Sequence, residues 1–505
     1  MTRIEIDAAE RRAEARGLHT ALLEIREDMA RRANLRFDQW RGHILRPEFH
    51  GSARNLADYL AFRRGDLAPF QPRLTALGLS SMSRAEAHVR PSLDAVLAAL
   101  ALIGEETSAQ ERVIDFPPTE IFAAGPARLK ARRDALFGAC GENGTRIMVT
   151  LPAQAVETDL TPQIIAAGAD CLRIDCGVDT PEIWEALAAE AAGRKIQFDL
   201  VGPEIRILDV QIDAPRLHQG GLFYISKSLT VGKARRKLRA PEVTLTYREV
   251  FASLTAGAEI RIENGKLRAL VVEVEDDRVL CEVQMLRPKG MRLKPGRRVT
   301  LPRADLEIPA VTQHDLEALP IAMRHADIIG FGFVQTRDDV GTLIKAMEIE
   351  AKVINRADLP AIMLRIETPK ALQNLPELIV AAGGRVPVGV MIARADLADE
   401  FGFERLSEIQ DELLWLCDAA EVPVVWAPQV LEGMLGDGLV LQSETADAAL
   451  GQRAECVMLE KGPHILGTVK YLRALLTRLD RYQTKHSPRL GALGLWQETQ
   501  QGSTS

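Results

Sequence analysis

The sequence predicts an α/β chain: a closed (β/α)₈ barrel carrying a small inserted all-β domain and preceded by a helical region. Three observations lead there. Eight short apolar runs, at Arg146–Thr150, Cys171–Asp175, Ile196–Leu200, Ile328–Phe331, Ala361–Leu364, Val388–Ile392, Pro423–Trp426 and Glu455–Met458, have the length and branched composition of buried parallel strands. Most are followed by a stretch of helical periodicity, as at Asp179–Glu190, Arg337–Glu350 and Phe403–Ala420. Eight such repeats are the strand count of a TIM barrel. Between Arg206 and Asp327 the rhythm changes to runs with a two-residue period: Phe223–Ser226, Val243–Thr246, Glu259–Ile262, Leu267–Glu275, Arg278–Gln284 and Arg298–Leu301. Turn signals such as Glu263–Asn264–Gly265 separate them, so they read as half-exposed antiparallel strands.

Residues 1–138 come first and are of another kind. ERRAEARGLHTALLEIREDMARRA and PSLDAVLAALALIG place apolar residues at helical intervals among Arg, Glu and Ala. Leu56, Tyr59, Leu60 and Phe62 begin a further amphipathic segment, and DFPPTEIFAAGPARL reads as a Pro-containing link to the barrel. The basic stripe Arg11, Arg12, Arg16, Arg31 and Arg32 reads as a solvated helix face in preference to a phosphate site. The barrel then occupies 145–206 and 306–480, and the inserted β domain 207–305. An insertion over the open end of a barrel suits a lid that excludes water. Its basic run, Lys233–Arg239, suits phosphates or a solvated edge equally. A helix over Pro463–Arg481 and a flexible polar tail, 486–505, close the chain, with no further domain expected.

Composition narrows the function classes. With 505 residues the chain has room for about three structural units. A hydrophobic share of 47%, a charged share of 26% and a net charge of −7 suit a globular protein and disfavour a general nucleic-acid partner. MTRIEIDAAERR lacks the apolar core of a secretory signal, and the apolar run Ala95–Ile103 is too short to span a bilayer. Six cysteines without a CxxC pair fit free thiols in a reducing cytoplasm, and Cys171 and Cys176 lack the partners of a zinc site.

The most informative stretch is AIMLRIETPKALQNLPELIVAAGGRVPVGVMIARADL, residues 361–397. It reads as one βαβ unit with Glu367 just past its first strand and Asp396 just past its second. Parallel strands joined by a helix bring their carboxyl ends to one edge, where such folds place chemistry. Two acids beside Arg365 and Arg394 suit a hard divalent cation holding an oxyanion. Acids that merely cap the following helices fit the same spacing.

RIMVTLPAQ, CLRIDCG, FDLVGPEIR, IPAVTQHDLEAL, GFVQTRDDV, LRIETPKAL, MIARADLADEFGFERL, VVWAPQVLEGM and SETADAAL…AECVML occur in this order along the chain. Together they resemble the successive barrel motifs of the pyruvate kinase family, over about residues 145–475. The chain is most similar to bacterial members with a helical N-terminal extension and no C-terminal regulatory domain. The resemblance implies phosphoryl transfer from phosphoenolpyruvate to ADP, a Mg²⁺ or Mn²⁺ ion, K⁺ in many members, and a cytoplasmic homo-oligomer. It also implies small-molecule substrates, with neither a nucleic acid nor a membrane as partner. Glu367 and Asp396 match the family's two metal-binding carboxylates. Arg173 matches an arginine at the transferring phosphoryl group, Arg206 one at the nucleotide side, Asp199 an acid of the potassium site, and Glu204 the glutamate of GPEIR.

The departures from the family pattern fall at the same site. Arg365 stands where the family's KIE motif has lysine, Pro428 where its ATQ motif has a threonine implicated in protonating the enolate, and Ala395 where ARGDL has a glycine beside the substrate carboxylate. Asp175, Gly177 and Leu200 replace three potassium ligands, and Val178 replaces a nearby histidine. A planar fork replaces a compact ammonium at 365, and no hydroxyl remains at 428. Ala395 strains its loop only if its φ is positive. Asp175 strengthens a divalent site or pairs with Arg173, and an ordinary monovalent site is disfavoured. Three readings stand: a phosphotransferase with reduced activity; a non-catalytic paralogue binding metal and a small oxyanion; and a metal-dependent enolate enzyme, a decarboxylase or aldolase on a 2-oxo acid. Under the first, Pro428→Thr together with Arg365→Lys raises turnover more than either change alone.

Overall fold

The computed structural model describes residues 3–105, 114–139, 144–211, 215–229, 240–263, 265–302, 304, 306, 308–485 and 487–488. The basic run Lys233–Arg239 and the tail past residue 488 lie outside the described residues.

The first part is helical: α1 (Arg3–Arg41), α2 (His50–Phe62), α3 (Phe70–Ala76), α4 (Val89–Gly104) and α5 (Glu120–Phe137). Two local readings are corrected. Leu56, Tyr59 and Phe62 close α2 instead of opening a segment, because the helix buries them in its last two turns. EIFAAGPARL is no link but the start of α5, with Pro126 inside it. The Gly–Pro pair looks like a breaker, yet a Cβ on Gly125 would come within 2.5 Å of the Ala87 carbonyl oxygen, so the glycine permits close packing. Residues Glu86–Gly104 are long and apolar enough to cross a membrane, with mean hydropathy 1.3, but Val89, Leu93, Leu97 and Leu100 are buried in the helical layer.

The barrel strands are β1 (Arg146–Thr150), β2 (Cys171–Asp175) and β3 (Lys195–Leu200), and, after the insertion, β11 (Ile328–Phe331), β12 (Ala361–Ile366), β13 (Val388–Ala393), β14 (Val424–Ala427) and β15 (Cys456–Leu459). All eight pair in parallel and in chain order, and β15 closes on β1. The insertion is a separate seven-stranded sheet made of β4 (Ile207–Val210), β5 (Leu222–Ser226), β6 (Glu242–Leu245), β7 (Glu259–Ile262), β8 (Leu267–Val274), β9 (Arg278–Leu286) and β10 (Val299–Thr300). β4 has no counterpart in the sequence reading. It is an edge strand with irregular register against β6, and only Ile207 is buried, so its alternation is weak.

Three cores form. The inserted sheet packs its own, around Phe223, Ile260, Val271 and Val283. A second fills the barrel interior with Met148, Met363, Met391 and Met458, closed from below by Leu136 and Phe137 at the end of α5. The largest joins the helices around the barrel to α1, α2 and α4. The helix Phe403–Ala419 ends near a polar clasp on that seam. Glu421, fully buried, accepts from Arg128 Nε at 2.7 Å and Nη2 at 2.5 Å and from Ser52 Oγ at 2.7 Å. Arg128→Met is expected to lower the unfolding free energy by about 1.5–3 kcal/mol, the range for a charged hydrogen-bond partner lost from a buried acid. Urea denaturation checks this, and an unchanged midpoint would show that Ser52 and Arg132 suffice.

Candidate active site

Strand alternation builds the site. Along each barrel strand every second residue faces inward, so the inward rows run Met148–Thr150, Cys171–Arg173–Asp175, Gln197–Asp199, Met363–Arg365–Glu367 and Met458–Glu460. The lower interior is apolar and the carboxyl-end layer is charged. The sequence chemistry therefore concentrates at one mouth.

Arg173 is 5% exposed and sits at the centre of that layer. Its Nε donates to Asp199 Oδ2 at 2.7 Å, and its Nη1 to Thr150 Oγ1 at 3.0 Å and Glu460 Oε1 at 3.3 Å. Asp175 Oδ2 lies 3.5 Å from its Nη2. Asp199 also accepts from Gln197 Nε2 at 2.5 Å and lies 3.8 Å from Arg365 Nη1. Burial pushes the Asp199 carboxyl up, but the two guanidiniums outweigh it and hold the acid below its ordinary range. Across the strand pair, Gly330 is opposite Asp199, and a Cβ there would come within 1.8 Å of Asp199 Oδ1.

Arg365 spans two halves of the mouth. Its Nη2 is 2.6 Å from Glu367 Oε1, while its Nη1 donates to the Leu200 carbonyl at 3.3 Å and faces Asp199. Glu367 Oε2 accepts the Phe333 backbone N–H at 3.0 Å, and Phe333 holds a φ of 55° to present it. Glu367 Oε1 is buried without an aligned hydrogen bond, so its contact with Arg365 is an ion pair only. Burial raises the Glu367 carboxyl above its ordinary value; Arg365 opposes this and Asp396 adds to it.

Asp396 lies in the first turn of the helix Arg394–Phe401, which follows β13 directly. β12 and β13 are hydrogen-bonded neighbours, with Ile366 opposite Ile392. Glu367, Arg365 and Asp396 line one cleft between the barrel mouth and the inserted sheet, walled by Glu204, Ile205, Arg298 and Leu301. Asp396 Oδ1 is 2.5 Å from Nη2 of Arg298, a residue of the insertion.

The remaining candidate residues of the sequence are spread around this cleft. Arg206 donates through Nε to Glu204 at 2.7 Å and through Nη1 to the Gly296 carbonyl at 2.7 Å, at the root of the insertion. Ala395 is helical with φ below zero, so the alanine brings no backbone strain. Neither Ala395 nor Pro428 lines the cleft. The pairing of Arg394 with the two acids is corrected: its guanidinium donates to Asp447 at 2.5 Å and to the Pro428 carbonyl at 2.6 Å, and lies 4.7 Å over the Trp426 ring. Arg298, Thr150, Gln197 and Glu460 join the site without having stood out in the sequence. Glu460 carries a usable signal, since it extends the inward period of Cys456 and Met458; Arg298 gives no local signal.

The donor set suits a hard divalent cation. Two carboxylates just beyond the ends of adjacent strands, one with a buried oxygen that receives no hydrogen bond, match an ion that takes one or two protein acids plus substrate oxygens and water. It does not suit K⁺. Asp199 already takes donors from Arg173 and Gln197 and faces Arg365, Asp175 Oδ1 takes the Gly177 N–H at 2.9 Å, and Leu200 offers a carbonyl that already takes Arg365.

A (β/α)₈ barrel with a β domain inserted after its third strand, and with acids and arginines gathered under that domain, defines a class of lidded barrel proteins suited to anionic substrates. A family model described as the pyruvate kinase barrel domain matches residues 143–463. The chain belongs to the pyruvate kinase family. It is 30% identical to the pyruvate kinase of Methylorubrum extorquens over 326 residues, 62% of this chain and 63% of that protein. Against the pyruvate kinase of Agrobacterium vitis it is 26% identical over 355 residues, 67% and 69% of the two chains. Against that of Thermococcus litoralis the identity is 27% over 316 residues, 60% and 62%. The match to the first of these thus spans under two thirds of that protein's length.

Proposed function

We propose that this chain transfers a phosphoryl group from phosphoenolpyruvate to ADP, with Mg²⁺ or Mn²⁺ at Glu367 and Asp396, in the cytoplasm. The observation carrying this reading is the continuous charged layer Arg173–Asp199–Arg365–Glu367, which opens beside Asp396 into a lidded cleft. A divalent cation at the two acids would polarise phosphoryl oxygens and neutralise charge on them. Arg173 and Arg365 hold fixed positive charge where negative charge gathers during transfer. The inserted sheet covers the cleft and limits water. Arg206, held by Glu204 and Gly296 at the hinge, is the arginine proposed for the nucleotide side. Enolate protonation has no side-chain hydroxyl at Pro428 to serve it, so turnover is expected to be detectable and low.

A second reading is a non-catalytic paralogue that binds metal and a small oxyanion. One observation favours it: Glu367 and Asp396 are each already paired with an arginine. The reading of an enolate enzyme on a 2-oxo acid gains nothing from Arg206, which such chemistry does not need. The deciding experiment measures pyruvate formation from phosphoenolpyruvate and ADP with Mg²⁺ or Mn²⁺. Activity supports the kinase. Metal binding without pyruvate formation or 2-oxo-acid turnover supports the paralogue.

The saturated acids at the potassium position lead to a further expectation. Replacing K⁺ by tetramethylammonium at constant ionic strength should leave the initial rate unchanged, because the Arg365 guanidinium already supplies positive charge beside Asp199 and Leu200. A severalfold loss without K⁺ would show that a monovalent site exists elsewhere.

A further inference from the structure

Resting on the proposed cation site, we infer that Arg298 is an exchangeable counter-ion: it holds Asp396 while the cation is absent and gives up that carboxylate when the cation binds. Beside the chain crossings, the insertion docks on one short helix of the barrel. Arg261 donates through Nη1 to the Asp399 backbone carbonyl, and Arg298 pairs with Asp396 one turn earlier on the same helix. Arg261 grips a backbone oxygen and stands 3.9 Å from the Asp399 carboxylate, neither of them a proposed ligand of the cation. Arg298 grips an acid proposed to bind it.

The two contacts therefore answer a cation differently. Arg298 lies at the edge of the inserted sheet, bridged to Arg206, and its guanidinium enters the cleft 2.5 Å from Asp396 Oδ1. Asp396 and then Glu367 stabilise its charged form, so this arginine already feels both proposed metal acids. A divalent cation on those acids places two positive charges where one guanidinium now sits, and like charges at that separation repel. Arg298 then has to leave Asp396. Substrate phosphate oxygens arriving with the cation offer it a new partner, and the exchange keeps charge balanced: carboxylate to cation, guanidinium to phosphate. Arg365 is not released the same way, because its Nη1 keeps the Leu200 carbonyl and Asp199. Cation loading and the Arg298 contact are thus alternatives, and lid docking at that point is coupled to the state of the site.

The test is Mn²⁺ binding by electron paramagnetic resonance on the full chain without substrate. Arg298→Met keeps the apolar stem and removes the competitor, so Mn²⁺ should bind roughly fivefold more tightly, the scale of a partly exposed ion pair. Arg298→Lys should fall between this variant and the wild type. Arg261→Met loosens the lid at Asp399 but leaves the Arg298–Asp396 pair, so its Mn²⁺ affinity should match the wild type. Unchanged or weaker binding in Arg298→Met overturns the inference, and so does equal tightening in Arg261→Met, which would assign the effect to lid loosening. Absence of Mn²⁺ binding in every protein overturns both the inference and the cation site. Pyruvate formation by the wild type, assayed separately, reports on the kinase reading alone.

Discussion

Glu367→Gln should lower pyruvate formation by at least ~10³-fold while leaving the protein folded. The substitution keeps the shape of the side chain and an oxygen to accept the Phe333 N–H, now 3.0 Å away. It removes the charge that a divalent cation needs. Metal-ion stabilisation of a transferring phosphoryl group is worth several kcal/mol, and each ~1.4 kcal/mol is tenfold in rate, which sets the scale. The fold should tolerate the change because burial already disfavours the Glu367 carboxylate, and Arg365 keeps the Leu200 carbonyl and Asp199 as partners. Turnover, Mn²⁺ affinity and thermal unfolding would be measured on the same preparation. Activity within tenfold of the wild type, with Mn²⁺ still bound, would remove Glu367 from the metal site and leave Asp396 needing another partner.

How far the sequence reveals this site depends on the kind of signal each residue gives. Buried parallel strands are short apolar runs, so all eight barrel strands are legible to within a residue or two, and inward positions come from the two-residue period. Arg365 and Glu367 stand out in the sequence through the βαβ spacing and Arg173 and Asp199 through the family resemblance, and the inward rows of the barrel strands bring the four together. Arg394 departs from expectation because it and Asp396 lie at a helix start and not on a strand. Two residues along a helix rotate a side chain by about 200°, so when Asp396 faces the cleft Arg394 faces away, toward Asp447 and Trp426. The Arg298–Asp396 pair is illegible for a different reason. Its partners are 98 residues apart, one at the edge of the inserted sheet and the other on a helix of the barrel, and nothing near Arg298 distinguishes it from other lid arginines. At α5 local composition favours a break at Gly125–Pro126, and tertiary packing against Ala87 overrides it.

Pro428, at the end of β14, governs the second large effect. Pro428→Thr is expected to raise pyruvate formation by up to roughly 10²–10⁴-fold, the usual worth of positioned general acid–base help, if enolate protonation limits turnover and the new hydroxyl reaches the substrate from a position that does not itself line the cleft. The backbone there can accept threonine. The Pro428 carbonyl anchors Arg394 Nη2 at 2.6 Å, and that oxygen is unchanged by the substitution. The loop's unusual backbone lies further on, at Gln429 and Leu431, with φ of 63° and 55°, so the turn does not depend on proline. The structure also changes the expectation for Arg365→Lys. The arginine reaches Glu367 with one nitrogen and the Leu200 carbonyl with another, which a single ammonium cannot reproduce. Combined with Pro428→Thr, Arg365→Lys should therefore subtract from the gain instead of adding to it. A solvent deuterium isotope effect on turnover identifies the step: large in the wild type and smaller in Pro428→Thr if the hydroxyl takes up protonation. Equal isotope effects and equal turnover would mean that phosphoryl transfer limits both proteins, and that the missing hydroxyl at position 428 has no kinetic consequence.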